Sequence, residues 1–251
     1  MVLSIAGSDP SGGAGLQADL RTFAALGVYG CAAPAALTAQ NARGVRDVMT
    51  VPAEFLRWQL DAVFDGARVD AVKIGMLGNA ANVEVVAEVL AARNPRVIVL
   101  DPVLRSTSGA RLLEEGALDA LRRRLVPLAM VITPNAPEAG ALLGRAAPRT
   151  VAESREAAEA LVALGARAAL VTGGHLDDPN EAVDVLHDGG GLHEFRLPRV
   201  SGGGAHGTGC VLSSALAARL AHGRALVEAC ADAQRFVAEV LGQASGFFTP
   251  A

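Results

Sequence analysis

Residues 2–26 read VLSIAGSDPSGGAGLQADLRTFAAL, and this stretch decides the fold class. Val2–Ala6 is a short apolar run of the kind that forms a buried strand. Gly15–Leu26 repeats apolar residues at helical spacing, which predicts an amphipathic helix. Between them lies the glycine-rich segment Gly7–Gly15. A strand followed by a glycine-rich turn and a helix is typical of α/β proteins, whose ligands bind at the carboxyl ends of the strands.

The rest of the chain repeats this alternation of short apolar runs with helical patterns. The further predicted strands are Val28–Leu37, Val69–Ile74, Arg96–Leu100, Met130–Thr133 and Ala168–Thr172, with a hairpin of Val183–Leu186 and Leu192–Leu197. The further predicted helices are Pro52–Phe64, Ala80–Arg93, Glu114–Leu125, Pro137–Leu143, Val151–Leu164, Gly207–Ala221 and Arg224–Gly242. This order predicts a mostly parallel central sheet with helices on both faces. We expect one domain over residues 1–243 and a loose tail over residues 244–251.

Composition disfavours several classes of protein. The net charge is −4 and the basic residues are dispersed, which argues against a nucleic-acid partner. No apolar run reaches the ~18 residues of a membrane span, and the first residues lack the basic start of a signal peptide. The cysteines Cys31, Cys210 and Cys230 form no CxxC pair, so no disulfide framework or zinc site is predicted. We therefore expect a soluble cytoplasmic protein.

Lys73 is the only lysine among the 22 basic residues of the chain. A Walker A loop requires Gly-Lys followed by Ser or Thr, because its ammonium group neutralises phosphate charge. Ile74 and Gly75 follow Lys73, so the sequence contains no such loop. If the protein binds phosphate, then backbone amides, arginine and a metal ion must provide most of the contacts.

The first glycine-rich segment also matches a dinucleotide-binding fingerprint in form. Gly13–Ala18 fits the pattern GxGxxA, after a strand and before a helix. An NAD site would then need an acidic residue about 20 positions further on, to bind the ribose. The corresponding region, Leu37–Gln40, contains no acidic residue. The sequence therefore disfavours an NAD-binding site.

A second glycine-rich segment, Gly202–Cys210, runs directly into a predicted helix. Backbone N–H groups at a helix N-terminus point together and favour an anion, which suits a transferring phosphoryl group. The alternative is a flexible turn before an ordinary helix, and both interpretations stay open. The helix dipole is expected to lower the pKa of the Cys210 thiol from ~8.5 towards neutrality, so that it could accept a proton from a substrate hydroxyl. The alternative for Cys210 is a small buried residue with no chemical role.

Thr133–Glu138 follows a predicted strand and places two polar residues at one turn. Asn135 and Glu138 are spaced to face a common site, where oxygen ligands suit Mg²⁺ bound to nucleotide phosphates. They also suit a capping box, with Asn135 as N-cap and Glu138 three residues on. Both interpretations stay open. Asp101, at the end of Arg96–Leu100, is either a carboxylate at the ligand-binding edge or a turn former.

Seven short segments form a recognisable pattern when they are taken in order. They are Gly7–Leu20, Ala36–Asn41, Lys73–Leu77, Asp101–Leu104, Thr133–Glu138, Gly173–His175 and His206–Cys210. This set closely resembles the hydroxymethylpyrimidine/phosphomethylpyrimidine kinases of thiamine biosynthesis, within the ribokinase-like superfamily. It covers the chain from residue 2 to about residue 242, and the ordered set is specific although each segment alone is not. The resemblance implies a ribokinase-like three-layer sandwich and a homodimer.

The resemblance also implies ATP-dependent phosphorylation of 4-amino-5-hydroxymethyl-2-methylpyrimidine and then of its monophosphate. Carried over to this chain, Gln40 would hydrogen-bond the aminopyrimidine edge, for which a side-chain amide offers both a donor and an acceptor. The other implied substrate-binding residues are Gly7, Asp19, Met76 and Val103.

The phosphoryl-transfer site implied by the resemblance uses ATP and Mg²⁺. Gly207, Thr208 and Gly209 would form an anion hole. Cys210 would stand where many ribokinase-like enzymes carry an aspartate base. The implied nucleotide-binding residues are Asn135, Glu138, Thr172, Gly174 and His206, and the implied magnesium ligands are Asp101 and Glu138, partly through water.

The chain departs from the family pattern on the nucleotide side. The family usually has lysine before Gly-Gly-His, where this chain has Thr172. Polar Asn and Thr residues usually precede the motif that begins at His206, where this chain has Ser201–Ala205 with three glycines. We expect weaker ATP binding, because a cation that would meet phosphate is missing. Two alternatives stay open: a pyridoxal or pyridoxine kinase, and a pyrimidine-binding regulatory protein that has lost turnover.

Overall fold

The computed structural model describes residues 1–41, 43–106, 108–177, 180–199 and 207–243. The strands in these residues are β1 Val2–Ser8, β2 Gly30–Asn41, β3 Gly44–Thr50, β4 Ala71–Ile74, β5 Val97–Leu100, β6 Val131–Ile132, β7 Ala169–Val171, β8 Glu181–His187 and β9 Leu192–Pro198. They form one sheet in the order β3-β2-β1-β4-β5-β6-β7-β8-β9. The pairs β2–β3, β7–β8 and β8–β9 are antiparallel, and the other neighbours are parallel. The predicted mostly parallel sheet and the predicted hairpin are confirmed.

Helices cover both faces of this sheet. They are α1 Gly15–Ala25, α2 Ala53–Gly66, α3 Ala80–Arg93, α4 Ala117–Ala120, α5 Ala136–Leu143, α6 Val151–Ala163, α7 Thr208–Ala221 and α8 Leu226–Gln243. Phe23 of α1, Leu216 of α7 and neighbouring apolar residues form a core on one face. Leu56 of α2 and Leu90 of α3 belong to the larger core on the other face. The expected three layers, helix on sheet on helix, are therefore present.

One strand was not predicted, and one predicted helix begins later than expected. The strand β3 was not predicted, because Gly44–Thr50 is an edge strand whose side chains are half-buried or exposed and form no clear apolar run. The helix predicted from Glu114 begins only at Ala117. The N–H of Glu114 bonds the carbonyl oxygen of Gly78 at 2.8 Å, and Gly116 has a φ of +87°, so neither residue is helical. α4 then ends in a π-helical turn, Leu121–Leu125.

The predicted domain over residues 1–243 stays a prediction, and residues 244–251 lie outside the described part of the chain. Within the described residues, no helix combines the length and the apolar character needed to cross a lipid bilayer.

Candidate active site

Segments that follow neighbouring parallel strands meet at one edge of the sheet. β1, β4, β5 and β6 are adjacent and parallel, so their carboxyl ends lie together. The first residues after these strands are Asp9, Gly75, Asp101 and Thr133. Gly207, the residue before α7, lies against the loop after β1 and brings the start of α7 to the same edge.

The two glycine-rich segments touch at Gly207. Its φ is +88°, a left-handed conformation that favours glycine. A Cβ atom at Gly207 would overlap the carbonyl oxygen of Gly13 and would lie 3.1 Å from the Cα atom of Ala14. The backbone N–H of Gly15 lies near the Cys210 side chain and favours its thiolate form. The N-terminus of α7 and the loop after β1 therefore form one continuous site.

Asp9 determines the shape of the loop after β1. Its carboxylate accepts hydrogen bonds from the backbone N–H groups of Ser11 at 2.9 Å and Ala14 at 2.8 Å. Asp9 is fully buried, so these bonds are shielded from water. Gly15 has a φ of +57°, and a Cβ atom there would overlap the carbonyl oxygen of Gly7. Local hydrogen bonds and close backbone contacts thus hold this loop in one shape beside α7.

Buried charged groups lie at the carboxyl ends of β4 and β5, on the face covered by α7. Lys73 of β4 and Asp101 after β5 share this face with the apolar residues that pack against α7, because side chains alternate along a strand. Two consecutive serines of α7 bond carboxylates of this layer. Ser213 Oγ donates to Asp101 Oδ2 at 3.0 Å, and Ser214 Oγ donates to Asp19 Oδ1 at 2.7 Å. Helix α7 is therefore tied to the strand ends through hydroxyl–carboxylate hydrogen bonds.

Asp19 is a buried structural acceptor in this arrangement. The ammonium group of Lys73 lies 3.0 Å from both of its carboxylate oxygens, and neither side chain has any exposed surface. Ser4 Oγ and Ser214 Oγ donate to the same carboxylate at 2.6 and 2.7 Å. The described geometry leaves the carboxylate of Asp19 no exposed oxygen, and its implied contact with substrate stays a prediction.

Lys73 carries the positive charge of this buried layer. Burial by itself disfavours the charged form, but Asp19, Cys210 and Asp101 together raise the pKa of Lys73 above its ordinary value. Lys73 is therefore an ammonium ion throughout the physiological range. It is a buried counter-ion and has no exposed surface with which to contact solvent or substrate.

The structure brings two of the predicted substrate-binding residues into contact. A Cβ atom at Gly7 would lie 2.9 Å from the sulfur of Met76, so the glycine allows the methionine to pack on the backbone. Val103 is half-buried, two residues beyond Asp101. Gln40 lines an open cavity of about 500 Å³ and, among the described residues, its amide has no hydrogen-bond partner. The remaining lining residues are Pro10, Ala39, Asn41, Arg43, Gly44, Val45 and Arg46.

Asn135 and Glu138 form the predicted capping box at the start of α5. The Asn135 side chain accepts from the Glu138 N–H at 2.9 Å, and the Glu138 carboxylate accepts from the Asn135 N–H at 3.0 Å. Burial and the nearby Asp101 raise the pKa of Glu138 to about 8. Burial also raises the pKa of Asp101, although Lys73 and the Ser213 hydroxyl oppose that shift. The capping interpretation is confirmed, and the two carboxyl groups also repel each other when both are ionised.

This acidic pair suits a magnesium ion in its donor chemistry. Carboxylate oxygens are hard ligands, and a divalent cation would relieve the repulsion between Asp101 and Glu138. Among the described residues, no group of three or more His, Cys, Asp or Glu side chains could hold a metal alone. An ion at these two residues would need further oxygen ligands from water or nucleotide, which is usual for Mg²⁺.

The predicted activation of Cys210 is wrong for the protein without ligands. Burial, together with the negative charges of Asp101 and Asp19, raises the pKa of Cys210 to about 12, and Lys73 opposes this shift only in part. The helix N-terminus and the nearby backbone N–H of Gly15 also favour the thiolate, but they do not offset the loss of hydration. Cys210 is consequently a neutral thiol at pH 7.

Alkylation of Cys210 is expected to reveal this raised pKa. The rate constant with iodoacetamide should rise about tenfold per pH unit from pH 7 to 9.5 without levelling off, because only the thiolate reacts. Site-resolved mass spectrometry can follow Cys210 separately from Cys31, which is also partly exposed. Free glutathione is the control, and its rate levels off near its own pKa. A plateau near pH 7 for Cys210 would contradict the assignment.

The turn after β7 lies beside the Asn135 segment. The N–H of Thr172 donates to the carbonyl oxygen of Pro134 at 3.0 Å, and Thr172 pairs with Asn135 in an isolated bridge. The guanidinium of Arg199 donates to the carbonyl oxygen of Gly174 at 2.8 Å. Three predicted nucleotide-side residues, Asn135, Thr172 and Gly174, are thus neighbours. His206, also predicted for the nucleotide side, lies outside the described residues.

Sequence reasoning did not identify several residues of this site. Ser213 and Ser214 were not predicted to have a role, although two adjacent hydroxyls in the middle of a mostly apolar helix are a usable signal. Lys73 stands out as the single lysine of the sequence, but no local pattern indicates that Asp19 is its partner. Arg199 was not singled out, since a lone arginine at the end of an edge strand shows no pattern.

The chain is similar to known proteins in both sequence and structure. The profile of the family described as "Phosphomethylpyrimidine kinase" matches residues 9–247. A relative from Salmonella typhimurium named hydroxymethylpyrimidine/phosphomethylpyrimidine kinase is 47% identical, over 96% of this chain and 91% of its own. The crystal structure of phosphomethylpyrimidine kinase from Clostridium difficile 630 is similar, with a TM-score of 0.84, 39% identity, and coverage of 96% of this chain and 98% of that chain. Pyridoxal kinase from Staphylococcus aureus in complex with AMP-PCP has a TM-score of 0.88 at 34% identity, covering 96% and 87% of the two chains.

Proposed function

Because this chain belongs to the phosphomethylpyrimidine kinase family, we propose that it transfers the γ-phosphoryl group of ATP to 4-amino-5-hydroxymethyl-2-methylpyrimidine and to its monophosphate. The protein is a kinase, and its relatives act in thiamine biosynthesis. The observation that carries the proposal is the contact between Gly13 and Gly207, which places a helix N-terminus beside the loop after β1. An anion-binding turn and a small-molecule pocket then share one edge of the sheet.

The acceptor side of the site would use Gln40 for recognition. Its amide carries one acceptor and two donors, which match a ring nitrogen beside an amino group. The contact of Gly7 with Met76 would form an apolar wall, and Val103 would extend it. These residues would hold the pyrimidine so that its hydroxymethyl group faces α7. Orientation of this kind lowers the activation barrier of phosphoryl transfer, because the entropy of bringing the reacting atoms together is already lost when the substrate binds.

The donor side would use the amides of Gly207, Thr208 and Gly209. In phosphoryl transfer, charge develops on the oxygens of the transferring group, and preorganised N–H groups stabilise that charge. Cys210 would accept the proton of the acceptor hydroxyl as a thiolate. Because its pKa is raised to about 12 in the protein without ligands, its thiol would first have to release its own proton to solvent.

Asp101 and Glu138 would hold a magnesium ion. Bound Mg²⁺ supplies positive charge that neutralises nucleotide phosphate oxygens. Glu138 would have to lose its proton to serve as a ligand, because its pKa is about 8. Neutralisation of Asp101 would also remove one of the negative charges that raise the pKa of Cys210.

Metal affinity is expected to increase with pH. Below pH 8, each pH unit should strengthen binding of the probe ion Mn²⁺ by up to about tenfold, because Glu138 must release a proton, and the affinity should level off above its pKa. Electron paramagnetic resonance of free Mn²⁺ measures this without turnover. The variant Glu138→Gln keeps a capping box and should bind more weakly with a flatter pH profile. An affinity that does not vary with pH in the wild-type protein would exclude Glu138 as a ligand.

The nucleotide side is expected to bind ATP less tightly than in relatives with lysine before Gly-Gly-His. Thr172 contributes no charge there. Arg199 stabilises the following turn through hydrogen bonds to the carbonyl oxygens of Gly174 at 2.8 Å and Leu176 at 3.0 Å. We propose that this arginine keeps the turn in place while other groups bind the phosphates.

The proposed reaction is tested by incubating the protein with MgATP and the hydroxymethylpyrimidine, with mass spectrometry of the products. We expect the monophosphate first and the diphosphate after it. Gln40→Leu should lower kcat/KM for the pyrimidine by roughly tenfold, since a hydrogen bond of about 0.5–1.5 kcal/mol is lost and a ring donor or acceptor stays unpaired. Absence of phosphorylated product from folded protein would refute the proposed function.

Phosphorylation of pyridoxal is a second candidate activity. Structures of pyridoxal kinases resemble this chain at TM-scores of 0.86 and 0.88. Pyridoxal also carries a hydroxymethyl group on an aromatic ring, but it has no amino group that could hydrogen-bond the Gln40 side chain. Gln40→Leu should therefore reduce turnover of the pyrimidine more than turnover of pyridoxal, and a comparison of kcat/KM for the two substrates decides between them.

We also propose a cytoplasmic homodimer. Three free cysteines are consistent with a reducing compartment. Large apolar side chains are exposed on β2, β3 and α2, namely Leu37, Met49, Phe55 and Trp58. Exposed apolar groups of this kind are common at subunit interfaces. Analytical ultracentrifugation of the wild-type protein and of Trp58→Glu tests the dimer, and a wild-type monomer at micromolar concentration would contradict it.

A further inference from the structure

Ser214 occupies a distinctive position in α7. It lies four residues after Cys210, so both side chains stand on the same face of the helix, one turn apart. Ser214 is fully buried, and its hydroxyl donates to Asp19 at 2.7 Å. The neighbouring Ser213 hydroxyl donates to Asp101 at 3.0 Å and to the carbonyl oxygen of Gly209 at 2.9 Å. These hydrogen bonds fix α7 on the side of the helix that carries Cys210.

Asp19 is a rigid acceptor for this hydrogen bond. Lys73 neutralises it from β4 through two contacts of 3.0 Å, and Ser4 bonds it from β1 at 2.6 Å. The carboxylate therefore links α1, two central strands and α7 in a dry environment. A hydrogen bond to a fixed buried charge is short and directional, so it sets the rotation of α7 more narrowly than apolar packing does.

We propose that Ser214, held by the buried Asp19–Lys73 pair, is a positioning residue for phosphoryl transfer. Its hydrogen bond orients the first turn of α7 so that Cys210 and the amides of Gly207–Cys210 face the acceptor hydroxyl. This inference rests on the proposed function for its kinetic consequence. It also gives Asp19 a role as an internal anchor for the helix that carries the anion hole.

The chain offers a matched control in Ser4. Ser4 and Ser214 are both fully buried, and each donates one hydrogen bond to the same carboxylate. Ser4→Ala removes the bond from the strand side, whereas Ser214→Ala removes it from the helix side. Both variants should lose a similar amount of thermal stability. A purely structural role therefore predicts the same activity loss in both.

We expect Ser214→Ala to lower kcat about tenfold or more, because small misplacements of reacting groups have large effects on rate. The KM for the pyrimidine should stay within about twofold, since recognition of the ring takes place at Gln40. Ser4→Ala should keep kcat within about twofold, because the two contacts of Lys73 still hold the Asp19 carboxylate in place. The conservative variant Ser214→Cys retains a weak donor and should give an intermediate kcat, and it serves as the test if the alanine variant does not fold.

A second readout does not need kinase activity. Ser214→Ala should change the alkylation rate constant of Cys210 at pH 8.5 by about fivefold or more, while Ser4→Ala leaves it within twofold. Equal kcat losses in the two variants, or unchanged alkylation in Ser214→Ala, would overturn the proposal. If the wild-type protein shows no transfer to the pyrimidine, the proposed function fails, and the alkylation ratio still decides the positioning role.

Discussion

Alanine at position 207 is expected to lower kcat/KM by about a hundredfold or more and to destabilise the protein. The residue has a φ of +88°, which costs an alanine side chain about 1 kcal/mol. The larger effect on activity and stability is expected from a steric clash, because the new Cβ atom would overlap the carbonyl oxygen of Gly13. Relief of that overlap moves α7 away from the loop after β1. The amides of the anion hole then no longer face the acceptor pocket.

Gly223, just beyond the opposite end of α7, is the matched control for this substitution. Its φ is +83°, and a Cβ atom there meets nothing within 4 Å. Gly223→Ala should therefore show the backbone strain alone, with a small fall in Tm and unchanged kcat/KM. Steady-state kinetics and thermal unfolding of both variants separate strain from displacement. Equal effects of the two substitutions would show that the contact between Gly207 and Gly13 has no catalytic consequence.

Replacement of Lys73 by methionine is expected to cost about 3–5 kcal/mol of the free energy of unfolding, because it leaves the carboxylate of Asp19 buried without a counter-ion. For a chain of this length, that corresponds to a fall in Tm of roughly 6–20 °C. Methionine is close to lysine in volume, so the loss of stability reflects the removed charge more than a change in packing. Chemical denaturation at pH 7 measures it directly.

A double variant and a surface variant are the controls for the Lys73 prediction. Lys73→Met with Asp19→Asn removes both buried charges and should recover a large part of the lost stability. Arg149→Met breaks an exposed ion pair with Asp177, in which the arginine side chain is 74% exposed, and should change stability by less than about 0.5 kcal/mol. If Lys73→Met is no more destabilising than Arg149→Met, the buried pair has no structural importance.

Much of the fold follows from local patterns in the sequence. The spacing of apolar residues predicted α3 over Ala80–Arg93, the same range that the structure has. The apolar run before Asp101 predicted β5, and the glycines after Asp188 marked the hairpin between β8 and β9. β3 was not predicted because an edge strand with one exposed face does not need a continuous run of apolar residues. Local patterns report burial, so they are weakest where an element is half exposed.

The sequence indicated which segments meet at the edge of the sheet, but it did not indicate the protonation states of the residues there. The loop after β1, residues 207–210 and the Asn135–Glu138 turn lie around the carboxyl ends of the strands, the edge at which the sequence predicted a ligand site. The protonation of Cys210 was predicted wrongly. Its sequence neighbours and the helix N-terminus favour the thiolate, whereas burial among residues distant in the chain favours the thiol.

The amino-acid sequence by itself determined the α/β class, the glycine-rich turns and the lack of a Walker lysine, because each depends on residues close together in the chain. Only the tertiary structure decided what the single lysine does. Lys73 meets Asp19 across 54 positions, and Ser214 meets Asp19 across 195. Electrostatic energies depend on distance in space and on exclusion of water, and neither can be read from order along the chain. The pairing of charges and the protonation of Cys210 therefore emerge only when the sheet and α7 come together.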